Sequence, residues 1–198
     1  MHERIVGLYE DNAPAWDRQR SRDLFEKPWL DRFTAGVPPG GAILDLGCGL
    51  GEPIARYLIE RGFRVTGLDS SPSLIALCRA RFPGEEWIVG DMRELALGRT
   101  FDGLIAWHSF FHLSPEHQRP IFPRFAAHLR PGGRLMFTSG ERHGEAIGSW
   151  QGEPLYHASL DTEEYRALLQ ANAFEILDHR PRDPECGHAT VWLARRNA

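Results

Sequence analysis

Three carboxylates, Asp45, Asp69 and Asp91, each stand at the end of a short apolar run, and the first precedes Gly47-x-Gly49-x-Gly51 by two residues. An apolar run, a glycine turn and a helical pattern together let a backbone approach a nucleotide closely. A dinucleotide site needs G-x-G-x-x-G, with a pyrophosphate on the helix N-terminus. Here Glu52 fills the third glycine's place, and a carboxylate at that mouth is expected to repel a pyrophosphate. No Lys followed by Ser or Thr is present to complete a P-loop. Asp45 favours a ligand that carries a cation. Asp69, 24 residues further on, falls where an acid accepts hydrogen bonds from a ribose diol. Asp91, with Met92 after it, comes within reach of an adenine edge. The ligand so described has an amino group, a ribose and an adenine, and no phosphate.

The histidines are the second group with chemical potential. His108 and His112 are four apart but leave a strand rather than share a helix, and no H-E-x-x-H occurs. No metal site is expected, because the ligand spacing is missing. Histidine suits general-base work near neutral pH, which makes His108, His112 and His157 the candidate bases. For His112 a structural hydrogen bond at the strand end is an equal alternative. His143 carries no such expectation. Residues 140–160 are glycine-rich and follow neither the helical nor the strand period. A long irregular segment in a compact domain is usually functional. Trp150, Tyr156 and His157 on it, with Phe111, are the candidate acceptor contacts, although Phe111 equally suits the core.

The elements that must position these groups alternate. "GAILDLG", "FRVTGLD", "EEWIVGD", "FDGLIAWHS" and "LRPGGRLMFTS" read as strands, and helical repeats fall between them. The first helix covers 53–61 and stops at Gly62. The second is capped by Ser71, with Pro72 in its first turn and Leu74, Leu77, Cys78 and Phe82 inside. A third, from Ser114 as cap to Leu129, is interrupted by Pro120 and Pro123. Asp161 caps a last helix, with Glu164 at the capping-box position. "FEILDHR" and "ATVWLARR" then suit an antiparallel pair. Strand–helix alternation implies a parallel sheet with helices on both faces, an α/β doubly wound, Rossmann-like class. Residues 1–37 read as a helical segment laid on that sheet, anchored by Trp16, Phe25, Trp29 and Phe33.

Composition sets the outer limits. The chain has 198 residues, a formal net charge of −4 and 42% apolar residues, which suits one domain over residues 1–198. The acidic balance and scattered arginines argue against a nucleic-acid surface. No apolar run approaches a membrane span, and "MHERIVGLYEDN" has no apolar signal region. A cytoplasmic protein without a membrane partner is expected, as monomer or homodimer. Cys48, Cys78 and Cys186 match neither a zinc pattern nor a disulfide framework.

S-adenosylmethionine meets the ligand description, and the chain resembles class I S-adenosylmethionine-dependent methyltransferases. The resemblance extends to the small-molecule branch that includes ubiquinone and menaquinone C-methyltransferases. It rests on "ILDLGCGLG", "VTGLDSS", "GDM", "FDGLIAWHSFFHL" and "LRPGGRL" in the family's order, with "YEDNAPAWD" before and "EEYRALLQANAFEIL" after them. It implies a seven-stranded sheet in the order 3-2-1-4-5-7-6 with strand 7 antiparallel. Gly47, Gly49 and Gly51 would face the methionine moiety, with Asp45 near its ammonium. Asp69 and Ser70 would hold the ribose, and Asp91 and Met92 would flank the adenine. Trp107 and His108 would sit near the sulfonium, with Tyr9 closing over the cofactor. Methyl transfer to a small-molecule acceptor follows from the resemblance. A binding protein without transfer, or a peptide or protein substrate, stays open, and a nicotinamide oxidoreductase is a weaker alternative.

Overall fold

The computed structural model describes residues 4–198. Residues 1–3 of the N-terminal segment lie outside the described ones. The central strands are β1 (Ala42–Leu46), β2 (Arg64–Asp69), β3 (Glu86–Val89), β4 (Phe101–Ala106) and β5 (Leu129–Ser139). A hairpin, β6 (Gly144–Trp150) and β7 (Glu153–Ser159), follows, and β8 (Phe174–Asp183) and β9 (Ala189–Arg196) close the chain. The sheet order is β3-β2-β1-β4-β5-β9-β8. β1 to β5 pair in parallel, and β9 runs antiparallel to both β5 and β8. With the separate hairpin set aside, this is the expected 3-2-1-4-5-7-6 order with its antiparallel strand.

Alternation along the strands explains the two layers. Ile43, Val65, Trp87, Ile105, Met136 and Val191 turn to one face, where α3 (Lys27–Thr34), α4 (Ile54–Glu60) and α5 (Pro72–Arg81) cover them. Leu44, Leu68, Leu104, Leu135 and Trp192 turn to the other, against α7 (Ile121–Ala127) and α8 (Thr162–Ala171). A strand buried on both faces reads as a near-continuous apolar run; β4 is buried at every position, and its one charged residue, Asp102, accepts from Ala42 N at 2.8 Å and pairs with Arg130 at 2.8 Å. Gly67 in β2 allows close approach: a Cβ there would lie 2.3 Å from Trp87 Cζ3 and 2.8 Å from Cys48 Sγ. Gly67→Ala is expected to cost about 1–3 kcal/mol by overpacking. Chemical denaturation reads this, and an unchanged midpoint would sink it.

Several local expectations need correction. Residues 140–160 are not an irregular loop: residues 144–159 form the β6–β7 hairpin, paired from Gly144–Ser159 to Trp150–Glu153. Glycines at 144, 148 and 152 obscured its two-residue period. The helix expected from Ser114 breaks into α6 (Pro115–Gln118) and α7 because Pro120 cannot continue it. The Ser114 hydroxyl meets Glu116 Oε2 and His117 Nδ1 instead of capping a backbone N–H. Glu164 completes no capping box, since it is drawn to Arg119 at 2.5 Å. In α5, Ile75 is fully buried, while Leu77 and Phe82 are only partly so. Ser71 and Asp161 do cap, accepting from Leu74 N and Glu163 N.

Two short helices, α1 (Arg4–Asp11) and α2 (Ala13–Gln19), lie across the C-terminal ends of β1 and β2. Ile5 packs on Tyr156 and Ala158, and Ala13 on Leu50 and Leu74, and polar contacts add to these. Glu10 accepts from Ser71 Oγ at 2.5 Å, Ser73 N at 3.0 Å and Ser73 Oγ at 2.6 Å, at the start of α5. Asp17 pairs with Arg22 and Arg81, each at 2.6 Å.

Candidate functional site

A deep concave site lies where the strand order reverses, between β1 and β4, which is where open α/β sheets bind ligands. Its volume is about 280 Å³. The floor is the turn after β1. Gly47, Gly49 and Gly51 all have positive φ, at 71°, 55° and 75°, which glycine adopts at least cost. A Cβ at Gly47 would lie 2.2 Å from Ser109 Cβ. Gly47 N donates to Leu68 O at 2.7 Å, and Gly49 N to Asp69 Oδ2 at 2.9 Å. The turn is therefore shaped by the end of β2.

Four acids line this floor. Asp45 is buried, and burial together with neighbouring Asp69 pushes its carboxyl up to about 7. Burial also raises Asp69, although its oxygens accept from Gly49 N and Ser71 N. A carboxylate has about four lone-pair sites, so acceptor capacity is left for a diol. Asp91 is held by Arg93, through its backbone N at 2.8 Å and its guanidinium at 2.6 Å. Glu52 corrects the sequence argument. It pairs with Arg22 at 3.0 Å, with Arg81 at 3.6 Å and with Arg56. Its charge is taken up by arginines, so it is not a bare repulsive group at the helix mouth. What it does is tie the N-terminal segment to the glycine turn.

The opposite wall is aromatic. His108 follows β4 in a left-handed backbone conformation, φ 50°, a strained state for a non-glycine residue that clusters at functional sites. Its ring stacks on Trp107 at 5.3 Å and meets Phe111 at 5.7 Å. His112 places Nδ1 2.8 Å from the Tyr156 carbonyl oxygen and Nε2 3.3 Å from the Tyr9 hydroxyl. A carbonyl only accepts, so Nδ1 carries the proton and Nε2 accepts from Tyr9. Burial pushes both His108 and His112 down to about 4 and also lowers His157. Burial pushes Tyr9 up to about 12. His157 stacks on His112 at 5.0 Å and meets Phe111 at 5.0 Å.

The structure brings Tyr9, Asp45, Gly47, Gly49, Gly51, Asp69, Ser70, Asp91, Met92, Trp107, His108, Phe111, His112 and His157 to this one pocket. Trp150 and Tyr156 are not among its lining. Trp150 covers it from outside, stacked on Tyr9 at 5.6 Å and edge-on to Trp16 at 5.3 Å. Tyr156 packs with Ile5 and Ala158 and contributes its carbonyl to His112. His143 lies in an exposed bend away from the pocket. Cys48 is buried in the turn beside Cys78, which with burial raises its thiol, as a packing residue would be.

Arg20 was missed. It lines the pocket, yet in the sequence it stands in "DRQRSRD", which reads as a solvated polar run. Trp16 was recognised only as an anchor, and it too lines the pocket. No spacing in the sequence marks it, because Tyr9 and Trp16 stand on separate helices, α1 and α2, interrupted at Asn12.

The fold is that of class I S-adenosylmethionine-dependent methyltransferases. Its sheet order is the one that fold carries. Residues 43–133 match the family model described as a methyltransferase domain. Among curated proteins, trans-aconitate 2-methyltransferase of Azoarcus sp. (strain BH72) is 32% identical over 145 residues, covering 67% of this chain and 53% of that protein. A dTDP-3-amino-3,6-dideoxy-alpha-D-glucopyranose N,N-dimethyltransferase of Streptomyces fradiae is 35% identical over 101 residues, covering 50% of this chain and 39% of that protein. The chain thus spans about half the length of the curated relatives it matches. Among solved structures, Burkholderia thailandensis 1,6-didemethyltoxoflavin-N1-methyltransferase, with S-adenosylhomocysteine bound, superposes with a TM-score of 0.73 at 24% identity. That match covers 100% of this chain and 87% of that one. An amino pentose methyltransferase from Micromonospora echinaspora, bound to S-adenosylmethionine, gives 0.72 at 22% identity, over 94% and 96% of the two chains. The ubiquinone and menaquinone C-methyltransferase branch is not among these matches.

Proposed function

We propose that this chain transfers a methyl group from S-adenosylmethionine to a small-molecule acceptor. The carrying observation is the buried Asp45, beside Asp69, in a pocket that Gly47, Gly49 and Gly51 also line. Two adjacent buried acids need a cation to be charged together, and the cofactor's ammonium and sulfonium supply positive charge. The residues present therefore fit that group. Asp45 would hold the ammonium. Asp69 and Ser70 would hold the ribose diol, and Asp91 and Met92 would flank the adenine. The named relatives and neighbours that act on organic acids, amino sugars and a toxoflavin precursor support a small acceptor.

Bound there, the cofactor supplies a methyl group already activated for displacement. The chain's own share is alignment and exclusion of water. Tyr9, Trp16 and Trp150 seal the mouth from the N-terminal side. His112 stays neutral at physiological pH, with Nε2 able to accept a proton through the Tyr9 hydroxyl. His108 and His157 would stand beside the acceptor and set its orientation. Among the described residues no helix is long and apolar enough to cross a membrane.

Calorimetric titration with S-adenosylmethionine and with NADH separates this reading from a nicotinamide enzyme. Micromolar binding of the first and none of the second is expected. The reverse pattern would falsify the proposal. Turnover with a labelled methyl donor and a metabolite extract then separates transfer from binding alone.

A further inference from the structure

An α-amino acid needs two opposite partners, because its ammonium and its carboxylate leave the same carbon. Asp45 is the partner proposed above for the ammonium. The carboxylate needs donors, and the pocket floor offers few. Asp45, Glu52, Asp69 and Asp91 line it as acids. The amides of the glycine turn are committed: Gly47 N and Cys48 N donate to Leu68 O, Gly49 N to Asp69 Oδ2 and Gly51 N to Cys48 O. Side-chain donors around it are committed as well. Ser109 Oγ donates to Leu46 O at 2.6 Å, Arg93 is drawn to Asp91 at 2.6 Å, and the Tyr9 hydroxyl meets His112.

Trp107 is different. It lines the pocket and is 4% exposed, and its buried Nε1 finds no hydrogen-bond partner among the described residues. An indole N–H only donates, and a buried donor left unpaired is costly. The group therefore calls for an acceptor atom that a ligand brings.

Sheet register sets where that atom would lie. Asp45 on β1 pairs with Ile105 on β4. Trp107 follows Ile105 by two residues and packs in the same core layer as Ile43 and Ile105. Alternation turns Asp45 to that layer too. Asp45 and Trp107 thus stand on neighbouring strands, on one face, roughly 8 Å apart along the backbone by strand spacing and rise. Positive charge is close by. Arg20, paired with Glu26 at 3.9 Å, lies over Trp16 beside the glycine turn, and its field reaches His108, whose ring stacks on Trp107.

We infer that the indole N–H of Trp107 donates to the carboxylate of the cofactor's amino-acid end. Asp45 and Trp107 then read the two charges of one zwitterion, and the site rejects a decarboxylated cofactor. This rests on the methyltransferase reading of the same pocket. It gives Trp107 a role distinct from the sulfonium contact that the family resemblance implies.

The test is calorimetric titration of the full chain with S-adenosylmethionine and with its decarboxylated form, which differ in that one group. The wild type is expected to bind the first at least about tenfold more tightly, as loss of a hydrogen bond to a charged group would give. Trp107→Phe keeps an aromatic ring and removes the N–H. It is expected to bring the two affinities within about threefold of each other by weakening S-adenosylmethionine. Methylthioadenosine, which lacks the amino-acid end, should bind both proteins alike. Equal affinities in the wild type overturn the proposal without any variant. So does an unchanged ratio in Trp107→Phe, or a parallel loss of methylthioadenosine binding. The Trp16 Nε1 stands 3.7 Å from where a Gly49 Cβ would lie, so loss of the ratio in Trp16→Phe and not in Trp107→Phe also overturns it. Failure of S-adenosylmethionine to bind the wild type is a different result, which removes the cofactor reading and this assignment with it.

Discussion

Asp45→Asn is expected to weaken S-adenosylmethionine binding by about two orders of magnitude. Removing one partner of a buried charge pair costs on the order of 2–5 kcal/mol, and Asp45 is 4% exposed. The side chain keeps its shape as asparagine, so the fold should persist. Titration calorimetry on both proteins reads the effect, and affinities within threefold would remove the ammonium role. The pH dependence is the sharper readout. Burial and Asp69 push the Asp45 carboxyl up to about 7. Below that value a cationic ligand must displace a proton, so affinity falls up to tenfold per pH unit. Above it the carboxylate is charged and affinity levels off. Asp45→Asn should flatten this dependence around pH 7. Stability runs the other way in the ligand-free protein. The unfolded carboxyl releases its proton near pH 4, whereas the folded one keeps it to about 7. The folded state binds more protons across that window, so this group's contribution to stability falls as pH rises from about 4 to 7. Saturating cofactor should remove that fall.

The second large effect belongs to His112. Its Nε2 accepts from Tyr9 and its Nδ1 donates to the Tyr156 carbonyl, so ring and tautomer are fixed before any acceptor arrives. His112→Ala is expected to lower kcat by about 10²–10⁴, the usual range for a general base, while cofactor affinity changes less than threefold. Tyr9→Phe should reproduce much of the loss, because it cuts the same hydrogen-bond path. Full turnover in His112→Ala, and likewise in His108→Ala and His157→Ala, would end the histidine-base idea. The folded His112 titrates at about 4, so the rate should not drop between pH 8 and 6 through this residue. A fall with a midpoint near 6.5 would point to an exposed group instead.

The acids, the glycine turn and the strand order were legible because they are set by short-range rules. An acid at a strand end, glycines where φ is positive and alternating elements leave local marks. The hairpin at 144–159 left none, since its glycines and exposed outer positions hide the period of two. Glu52 was placed correctly and its charge misjudged. Its arginine partners at 22 and 81 stand 30 and 29 residues away, and only the folded chain brings them together. Arg20 was lost for the same reason. It stands 3.9 Å from Glu26 and its field reaches His108, and no spacing rule connects the three. The location of Asp45, Asp69 and Asp91 at one mouth was foreseeable.

Asp69 grips the amide of Gly49 with one oxygen and that of Ser71 with the other, while Glu10 holds Ser71 and Ser73 from above. The two loops that would meet opposite ends of the ligand are thus cross-braced by a single side chain. A transplant of the glycine turn alone into another scaffold would arrive without its brace and collapse into a different shape. The portable unit is the turn, the acid of the second strand and the helix start that follows, moved together. Engineering that alters the ribose contact at Asp69 therefore also reshapes the floor on which the amino-acid moiety rests. Altered-cofactor variants of this chain should be built around Asp69, leaving it in place.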